Sequence, residues 1–237
     1  MNKLPFRLIQ KTDIERWRAK TFESKEPETI VWIESFSNGQ TLFDVGANIG
    51  IYSLYMAHLY LDSKIYAFEP HRANFTRLMQ NAQLNEFTNL YTYLLAISDV
   101  RTKEMFYEPD RKEGSTGGQI GQNVDEYGNI FGVVSKRMIF TISLSEFCAL
   151  HKLEPNHVKI DIDSQEVRVV NGMRNILDKD YLKSVLIEIN NDKNYIVKTF
   201  LDAGFSMDNI FNKLRNHSRV RRAKEMIRAE NIIFTRE

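Results

Sequence analysis

Four charged side chains are clustered in a short, otherwise apolar run near the middle of the chain. The stretch HVKIDIDSQEV, residues 157–167, carries Lys159, Asp161 and Asp163 at alternate positions, and Glu166 follows three residues later. Alternation along a strand would send the first three to one face. Carboxylates at the end of a strand can exchange a proton, bind a divalent cation or support a helix start. The run therefore predicts acid/base chemistry, a metal site or a structural role.

A second group of polar side chains follows the next predicted strand, where LIEINND places Glu188 and Asn190. The carboxyl ends of parallel strands meet at one edge of a sheet, and ligands of open α/β sheets bind outside that edge. We expect Asp161 beside the reacting atoms and Asp163 or Glu188 as the base. Lys159 should pair with a neighbouring carboxylate, because a lone buried ammonium is costly.

Two alternatives for this cluster stay open. One is a divalent cation, less favoured, held by hard oxygen ligands from both strand ends: Asp161, Asp163, Glu188 and Asn190. The other is structural: Asp163 or Ser164 caps a helix that begins near Gln165, and Glu166 adds a favourable charge to its first turn. His71, directly after EP, could serve as a base, but we expect an exposed residue in the first turn of a helix.

A glycine turn and a distant carboxylate predict a nucleoside-binding crevice. In FDVGANIG, residues 43–50, an apolar strand ends at Asp44, Gly46 lies in the turn, and a helix starts near Gly50. Such a turn points backbone amides at a ligand by the helix N-terminus. Glu69, at the end of the next strand and 19 positions beyond Gly50, suits hydrogen bonds to ribose hydroxyls. Together the two features predict the crevice more strongly than either one alone.

One residue of the glycine turn bears on the choice of cofactor. In dinucleotide sites the middle glycine of the motif lets the backbone touch a pyrophosphate. Asn48 occupies that place here, and its side chain crowds a pyrophosphate. The turn therefore favours a nucleoside ligand that ends in an amino acid over NAD.

The elements that position these residues follow an alternating pattern. From residue 41 onward, short apolar runs alternate with longer amphipathic ones, which predicts a parallel sheet with helices on both faces. The apolar runs are TLFDV, KIYAFEP, LYTYLLAI, HVKIDI and LKSVLIEIN. No helix follows the last run, residues 231–236. We expect it to return antiparallel beside FSMDNIF as a terminal hairpin.

The pattern predicts one domain over residues 1–237. Residues 1–40 form a helical cap, with a helix over 26–36 that begins at a proline, and residues 41–237 form the core. An insertion at about 103–140 holds six of the eleven glycines between two strand-like stretches. A loop of this length predicts a lid or an acceptor-binding loop, with a plain flexible insertion as the alternative.

Charge and cysteine content exclude some classes of protein. Lys and Arg number 32 and Asp and Glu 31, so the overall charge predicts neither nucleic acid nor a membrane surface as a partner. The basic segment 212–228 is either a solvated surface or attracts an anionic acceptor. The single cysteine, Cys148, fits a buried apolar thiol. No long apolar run or secretory leader is evident, so we expect a cytoplasmic protein without a membrane span.

Five blocks of the sequence together resemble the FkbM family of S-adenosylmethionine-dependent methyltransferases. They are FDVGANIGIYSLYMA, IYAFEPHRANFTRLMQNAQLN, LLAISD, HVKIDIDSQEVRVVNG and SVLIEIN, in order and spacing. The resemblance runs from about Glu26 to about Gly204. It implies a Rossmann-like class I methyltransferase fold, an α/β fold with a seven-stranded, mostly parallel sheet and an antiparallel last strand.

The resemblance also implies roles for individual residues. The methionine end of S-adenosylmethionine would lie on the turn formed by Asp44, Gly46, Ala47, Asn48 and Gly50. Glu69 would hold the ribose, and Ser98 and Asp99 would lie near the adenine. Two positions depart from the family pattern: Ser164 replaces a habitual glycine, and Ser145 stands where the family commonly has aspartate.

The sequence therefore predicts an S-adenosylmethionine-dependent O-methyltransferase. On family analogy its acceptor is a hydroxyl of a sugar or glycan, either a surface polysaccharide or a nucleotide-linked sugar. A methyltransferase for a small-molecule natural product is an alternative. A non-catalytic nucleoside-binding or regulatory module is another, motivated by Ser145 and Ser164. An NAD-dependent oxidoreductase is a third, which Asn48 argues against.

Overall fold

The computed structural model describes residues 4–125, 127–163, 165–208 and 230–236. In chain order the helices are α1 (Asp13–Lys25), α2 (Pro27–Glu34), α3 (Ile51–Leu59), α4 (Arg72–Leu84), α5 (Leu144–His151), α6 (Glu166–Gly172), α7 (Arg174–Leu177) and α8 (Lys193–Asp202). The strands are β1 (Thr41–Val45), β2 (Lys64–Phe68), β3 (Leu90–Tyr93), β4 (Ala96–Ser98), β5 (Thr102–Glu108), β6 (Gln119–Ile120), β7 (Ser135–Ser143), β8 (His157–Ile160), β9 (Ser184–Ile189), β10 (Ser206–Met207) and β11 (Glu230–Thr235).

The main sheet has seven strands in the order β3-β2-β1-β8-β9-β11-β10. The first five strands of that order run parallel, and β11 pairs antiparallel with both β9 and β10. The predicted α/β fold with an antiparallel last strand is confirmed. The expected terminal hairpin is present as well, since Ser206 pairs with Thr235.

Helices cover both faces of the main sheet, as the alternating pattern predicts. Adjacent residues of β1 enter opposite cores: Leu42 packs with Trp32 and Leu54 on one face, and Phe43 packs with Phe147 and other apolar side chains on the other. All five side chains are at most 2% exposed. Burial of this kind contributes about 25 cal/mol per Å² of apolar surface and is the main force that holds helices to a sheet.

The N-terminal helices begin at recognisable caps. The helix predicted over 26–36 is α2, with Pro27 in its first turn, where a missing N–H costs nothing. Helix α1 begins with a capping box, in which the Thr12 hydroxyl accepts from the Glu15 amide and the Glu15 carboxylate accepts from the Thr12 amide. Glu15 is fully buried and also forms an ion pair with Arg77 of α4. This ion pair holds α1 against α4, one of the helices that cover the main sheet.

A second sheet interrupts the alternating pattern. Its four strands lie in the order β4-β7-β5-β6, with β5 and β7 antiparallel and β4 and β7 parallel. The run LYTYLLAI, treated above as one strand, is two: β3 belongs to the main sheet and β4 to the second one. Periodicity could not separate them, because both pieces are apolar and only two residues lie between them.

The remaining sequence predictions fall partly outside the described residues. Cys148 is buried in α5 as expected, and burial raises the pKa of its thiol to about 12. The basic segment 212–228 lies outside the described residues. In the part of the chain that is described, no helix combines the length and the apolar character needed to cross a bilayer.

Candidate active site

The strand register sets four predicted site residues in one row. Val45 of β1 pairs with Phe68 of β2 and with Ile160 of β8, and Ile160 pairs with Ile187 of β9. The residues that follow these four positions are therefore level across the carboxyl edge of the sheet. They are Gly46, Glu69, Asp161 and Glu188. These four residues lie close together because each is at, or directly after, the carboxyl end of one of four neighbouring strands.

A cavity of about 690 Å³ lies at this edge. Six of the predicted site residues line it: Gly46, Asn48, Glu69, Asp161, Asp163 and Glu188. Apolar side chains line it too, including Phe68, Leu95, Ile97, Phe106 and Ile162. A concave, partly apolar cavity with a few convergent polar groups is typical of a small-molecule site.

The glycine turn brings the backbone close to β8. Gly46 has φ +82°, and a β-carbon there would lie 2.0 Å from the Asp161 carbonyl oxygen. Gly50 has φ +87°, precedes α3, and would bring a β-carbon within 2.2 Å of Leu78. A side chain at either place would clash, and a left-handed backbone disfavours one anyway. Asn48 also has a positive φ, +53°, which asparagine tolerates better than most residues.

Glu69 is held in place by two backbone amides. Its carboxylate oxygens accept from the Asn48 amide at 2.7 Å and from the His71 amide at 2.7 Å, and the side chain is 5% exposed. Burial raises the pKa of Glu69 to about 7, although these two amides act in the opposite direction. A carboxyl this poorly solvated gains from hydroxyl donors on a ligand.

Asp161 and Lys159 form a buried ion pair. Lys159 Nζ lies 2.6 Å from Asp161 Oδ2 and 4.0 Å from Asp44 Oδ1, and Lys159 is 1% exposed. Burial alone would raise the pKa of Asp161, but the Lys159 ammonium holds it below its usual range. Burial raises the pKa of Asp44, against the effect of Lys159. Lys159 therefore lies behind Asp161 and does not line the cavity.

Glu188 has the fewest partners of the carboxyl groups that line the cavity. It lines the cavity and has neither a hydrogen-bond nor an ion-pair partner among the described residues. Burial, together with the negative charges of Asp161 and Glu26, raises the pKa of Glu188 well above its usual range. Perturbed carboxyls in a cavity are candidates for proton transfer.

Two expectations for HVKIDIDSQEV need correction: the alternation within one strand and the side-chain cap of the following helix. Strand β8 ends at Ile160, so Asp161 and Asp163 follow the strand and do not alternate within it. Asp163 accepts from the Gly117 amide at 2.6 Å, and the N-cap residue of α6 is Gln165, without a side-chain cap. Ser164 lies outside the described residues. Glu166 lies in the first turn of α6, as the structural alternative expects; its side chain is 2% exposed and accepts from the Asn190 amide group at 2.6 Å.

These contacts also bear on the metal alternative. The Asn190 side-chain nitrogen donates to Glu166 and, at 3.4 Å, to the Ile162 carbonyl, so the amide is engaged away from Asp161. Asn190 does not line the cavity. Within the described residues, no group of three or more His, Cys, Asp or Glu side chains is arranged to hold a metal ion.

Several predicted cofactor residues lie away from the cavity wall. Asp44 and Ala47 are buried behind the turn, and Gly50 packs against Leu78. Ser98 is buried, and Asp99 forms an ion pair with Arg168 of α6 at 2.8 Å. The residues just before them, Leu95, Ala96 and Ile97, line the cavity instead. These wall residues lie one to four positions before the predicted Ser98 and Asp99, where strand β4 enters the second sheet.

Helix α1 supplies wall residues that the motif analysis did not identify. They are Ile14, Trp17, Arg18 and Lys25. Lys25 forms an ion pair with the neighbouring Glu26; burial alone would lower the pKa of Lys25, but the carboxylates of Glu26 and Asp161 raise it. These residues precede the first strand and match no motif, so only their helical spacing could have signalled them.

Residues 113–118, which we name the strap, also border the cavity. The Ser115 carbonyl accepts from the side-chain amides of Asn48 and Asn74, each at 3.0 Å, and the Gly117 amide donates to Asp163. The Gly114 carbonyl accepts from Arg18. The glycine-rich insertion therefore contacts the cofactor turn, α1, α4 and the end of β8.

His71 differs from its expected role. It is 7% exposed and serves as the N-cap of α4, where its ring accepts from the Asn74 amide. Its Nε2 lies 3.0 Å from the Asp110 carbonyl. His71 lines the cavity, but both ring nitrogens already have partners.

Comparison with known proteins agrees with this geometry. The family model described as "Methyltransferase FkbM domain" matches residues 44–220, which is most of the chain. The chain belongs to the FkbM methyltransferase family. The predicted resemblance is therefore confirmed, and this FkbM protein is a methyltransferase enzyme.

Individual relatives of this FkbM protein are distant. "Hexuronic acid methyltransferase AglP" of Haloferax volcanii is 25% identical over 195 residues, 82% of this chain and 75% of that protein. "Methyltransferase 1" of Beauveria bassiana is 25% identical over 191 residues, 74% of this chain and 76% of that protein. A solved structure of a Clostridium thermocellum protein assigned as an rRNA methylase has a TM-score of 0.50 at 8% identity, with 90% and 94% of the two chains covered. At that identity the likeness shows the fold alone.

Proposed function

We propose that this FkbM protein transfers a methyl group from S-adenosylmethionine to a hydroxyl of a sugar or glycan. One observation carries the proposal: Glu69 and Glu188, a ribose-binding candidate and a carboxyl without a partner, lie level on one edge of the sheet and line the same cavity. The sugar acceptor is supported by the relative from Haloferax volcanii, whose printed name specifies a hexuronic acid.

The residues present fit S-adenosylmethionine. The Glu69 carboxylate, aligned by two backbone amides, is suited to ribose hydroxyls. The apolar side chains of Phe68, Leu95 and Ile97 offer a surface for a nucleobase. The carboxyls of Asp161, Asp163 and Glu188 give this edge an acidic character that favours a cationic ligand. When bound, the cofactor supplies a methyl group activated by a positively charged sulfonium.

In this proposal Glu188 takes the proton of the acceptor hydroxyl. The acceptor hydroxyl would lose its proton to the Glu188 carboxylate, and S-adenosylmethionine would supply the methyl group and leave as the neutral thioether. Burial raises the pKa of Glu188, which makes its ionised form a stronger base. A positive charge brought into the cavity favours the ionised carboxylate. Asp161, neutralised by Lys159, positions the ligand and is not the base.

The test is transfer of isotopically labelled methyl groups to glycans that contain hexuronic acid and to matched neutral glycans. We expect labelled product with the wild-type protein, and a loss of about 100-fold or more in kcat for Glu188→Gln, the usual range for a general base. Glu146→Gln, at a half-buried carboxylate of α5 that pairs with Arg101 away from the cavity, is the matched control. Cofactor binding by calorimetry should survive Glu188→Gln.

Three outcomes would contradict parts of the proposal. Wild-type protein that fails to bind S-adenosylmethionine would overturn it entirely. Binding without transfer to any glycan would favour the regulatory alternative or another acceptor class. Loss of transfer on chelation, restored by Mg²⁺, would assign a metal role; we expect chelation to have no effect, since Asn190 and Asp163 are engaged elsewhere.

A further inference from the structure

Arg18 presents an unused hydrogen-bonding edge in the cavity wall. Its Nε and one Nη2 proton both donate to the Gly114 carbonyl, at 3.1 and 3.0 Å. A guanidinium has five N–H groups, and this arrangement uses only one edge of the planar group. The other edge, formed by Nη1 and the second Nη2 proton, has no hydrogen-bond partner among the described residues.

The charge of Arg18 is likewise unpaired. No carboxylate of the described residues lies within ion-pair distance of it, although the side chain is half-buried. Other arginines that are buried or half-buried have more partners: Arg77 pairs with Glu15, Arg137 with Glu108, and Arg168 with Glu104. Arg236 forms no ion pair but donates to three different backbone carbonyls. Burying a guanidinium without a counter-ion or enough hydrogen-bond acceptors costs free energy. Among these five arginines, Arg18 is the one with neither an ion pair nor more than one carbonyl partner.

The position of Arg18 is set by two independent contacts. Helix α1 is fixed to α4 through the buried ion pair of Glu15 with Arg77, one turn before Arg18. The strap holds the guanidinium itself through the Gly114 carbonyl. The positive charge reaches the row of site residues, since Arg18 contributes to lowering the pKa of both Glu69 and Asp161. The free edge is therefore held in place beside the row before any ligand arrives.

We propose that Arg18 is the carboxylate-binding residue of this cavity. The free edge of a guanidinium matches the two oxygens of a carboxylate in a bidentate pair, which a lysine ammonium cannot reproduce. Two ligands of the proposed reaction could supply that group: the methionine end of the cofactor and the acid group of a hexuronic acceptor. The inference rests on the proposed function, and it adds a specificity residue outside every motif of the family.

The experiment compares ligands that differ only in the carboxylate. S-adenosylhomocysteine and its decarboxylated analogue are titrated calorimetrically into the wild-type protein, Arg18→Gln and Arg18→Lys. Methyl transfer is then measured with a hexuronate-containing glycan and with the matching neutral glycan. Arg16→Gln, two residues away and exposed in an ion pair with Asp13, is the matched control. Circular dichroism and thermal unfolding establish that each variant is folded.

We expect Arg18→Gln to weaken one carboxylate-bearing ligand by roughly 10- to 100-fold, the usual effect of losing a charge-assisted pair. Weaker binding of S-adenosylhomocysteine, with its decarboxylated analogue unchanged, would assign the cofactor. A higher KM for the hexuronate glycan alone would assign the acceptor. Arg18→Lys should fall between the wild type and Arg18→Gln, and it carries the test if Arg18→Gln does not fold.

Equal effects on ligands with and without the carboxylate would overturn the assignment, as would no effect on any of them. These results are distinct from failure of the proposed function. In that case the wild-type protein itself would bind no S-adenosylhomocysteine or transfer no methyl group, and the Arg18 inference would fail with it.

Discussion

At the scale of single residues, the candidate site depends on the charge of Lys159, a buried residue that does not line the cavity. Lys159 is 1% exposed, and its ammonium is neutralised by Asp161 and, at a longer distance, by Asp44. Asp161 is about one third exposed toward the cavity, at 30% of its side chain. The Lys159 ammonium holds the pKa of Asp161 below its usual range, against the effect of burial, so the carboxylate stays ionised. Removing either partner would leave the other uncompensated.

Asp161→Asn should therefore lower both stability and activity. It leaves the Lys159 ammonium buried without its nearest counter-ion, which costs about 3 kcal/mol of unfolding free energy. The double variant Asp161→Asn/Lys159→Met should recover much of that stability but not the methyl transfer. Glu166→Gln is the control, since a glutamine oxygen can still accept from Asn190. Equal and small effects of Asp161→Asn and Glu166→Gln, in urea unfolding and in transfer, would contradict this account.

The spacing of sequence motifs predicted some of the residues that line the cavity but not others. Gly46 and Glu69 could be predicted because a glycine turn and an acidic strand end are local signals. Arg18 and Lys25 could not, because their place in the wall depends on how α1 packs against α4 and on where the strap runs. Those contacts join residues about 60 to 100 positions apart, and no local pattern encodes them.

At the scale of elements, the strap, which connects β5 and β6 of the second sheet, is the part of the insertion that borders the cavity. It is bonded to Asn48 and Asn74, and its Gly117 amide donates to Asp163. Asn48 and Asp163 are themselves candidates for contact with the ligand. A bound cofactor would therefore use some of the same side chains, Asn48 and Asp163, that bond the strap. The sequence indicated a functional loop from its glycines, but the second sheet that supports it follows from pairing between β5 and β7.

Asn74→Ala should loosen the strap without unfolding the domain. Asn74 donates to the Ser115 carbonyl at 3.0 Å and accepts from the Gly114 amide at 2.8 Å. Without these bonds we expect faster tryptic cleavage after the exposed Lys112 and roughly tenfold faster release of S-adenosylhomocysteine, in line with about 1 kcal/mol per hydrogen bond. Unfolding free energy should fall by no more than about 3 kcal/mol.

The matched control for the strap is Asn85→Ala. Asn85 lies at the other end of α4 and also clamps a backbone, accepting from the Arg7 amide and donating to the Arg7 carbonyl, each at 2.7 Å. It should leave cleavage at Lys112 and ligand release unchanged. Similar cleavage in both variants would show that the strap is not fastened by Asn74.

At the scale of the whole molecule, a buried histidine joins the N-terminal helices to the main sheet. The His157 ring of β8 stacks on Phe36 at 3.6 Å, and its nitrogens lie 2.7 Å from Ser184 Oγ and 2.9 Å from Gln40 Oε1. Trp32 of α2 donates to the same serine hydroxyl. Alternation predicted that β8 would be buried, but not that its first residue would bridge three elements. Burial lowers the pKa of His157 to about 3.

This histidine should make the fold sensitive to acid. Because the folded pKa lies below the ordinary 6.5, the unfolded chain binds the extra proton first. Stability from this group is complete above pH 6.5 and falls as pH drops toward 3, by at most about 1.4 kcal/mol per pH unit. His157→Gln should be less stable at pH 7.5 yet lose stability more slowly between pH 6 and 4. Urea unfolding across this range measures the slope.

The exposed His58 provides the comparison for the acid experiment. His58→Gln should keep the wild-type slope, and a wild-type slope in His157→Gln as well would assign the acid sensitivity to other groups.

The pairing of Glu108 with Ser135 has a consequence for protein engineering. Strand β5 ends at Glu108 and strand β7 begins at Ser135, and these two residues are paired in the antiparallel ladder. The two ends of the segment between them are therefore held side by side. A replacement segment that keeps the strap's contacts with Arg18, Asn48 and Asp163 should leave the main sheet, its register and the row of site residues unchanged. The cavity's cover could thus be grafted from one family member to another, as loops are exchanged between antibody frameworks.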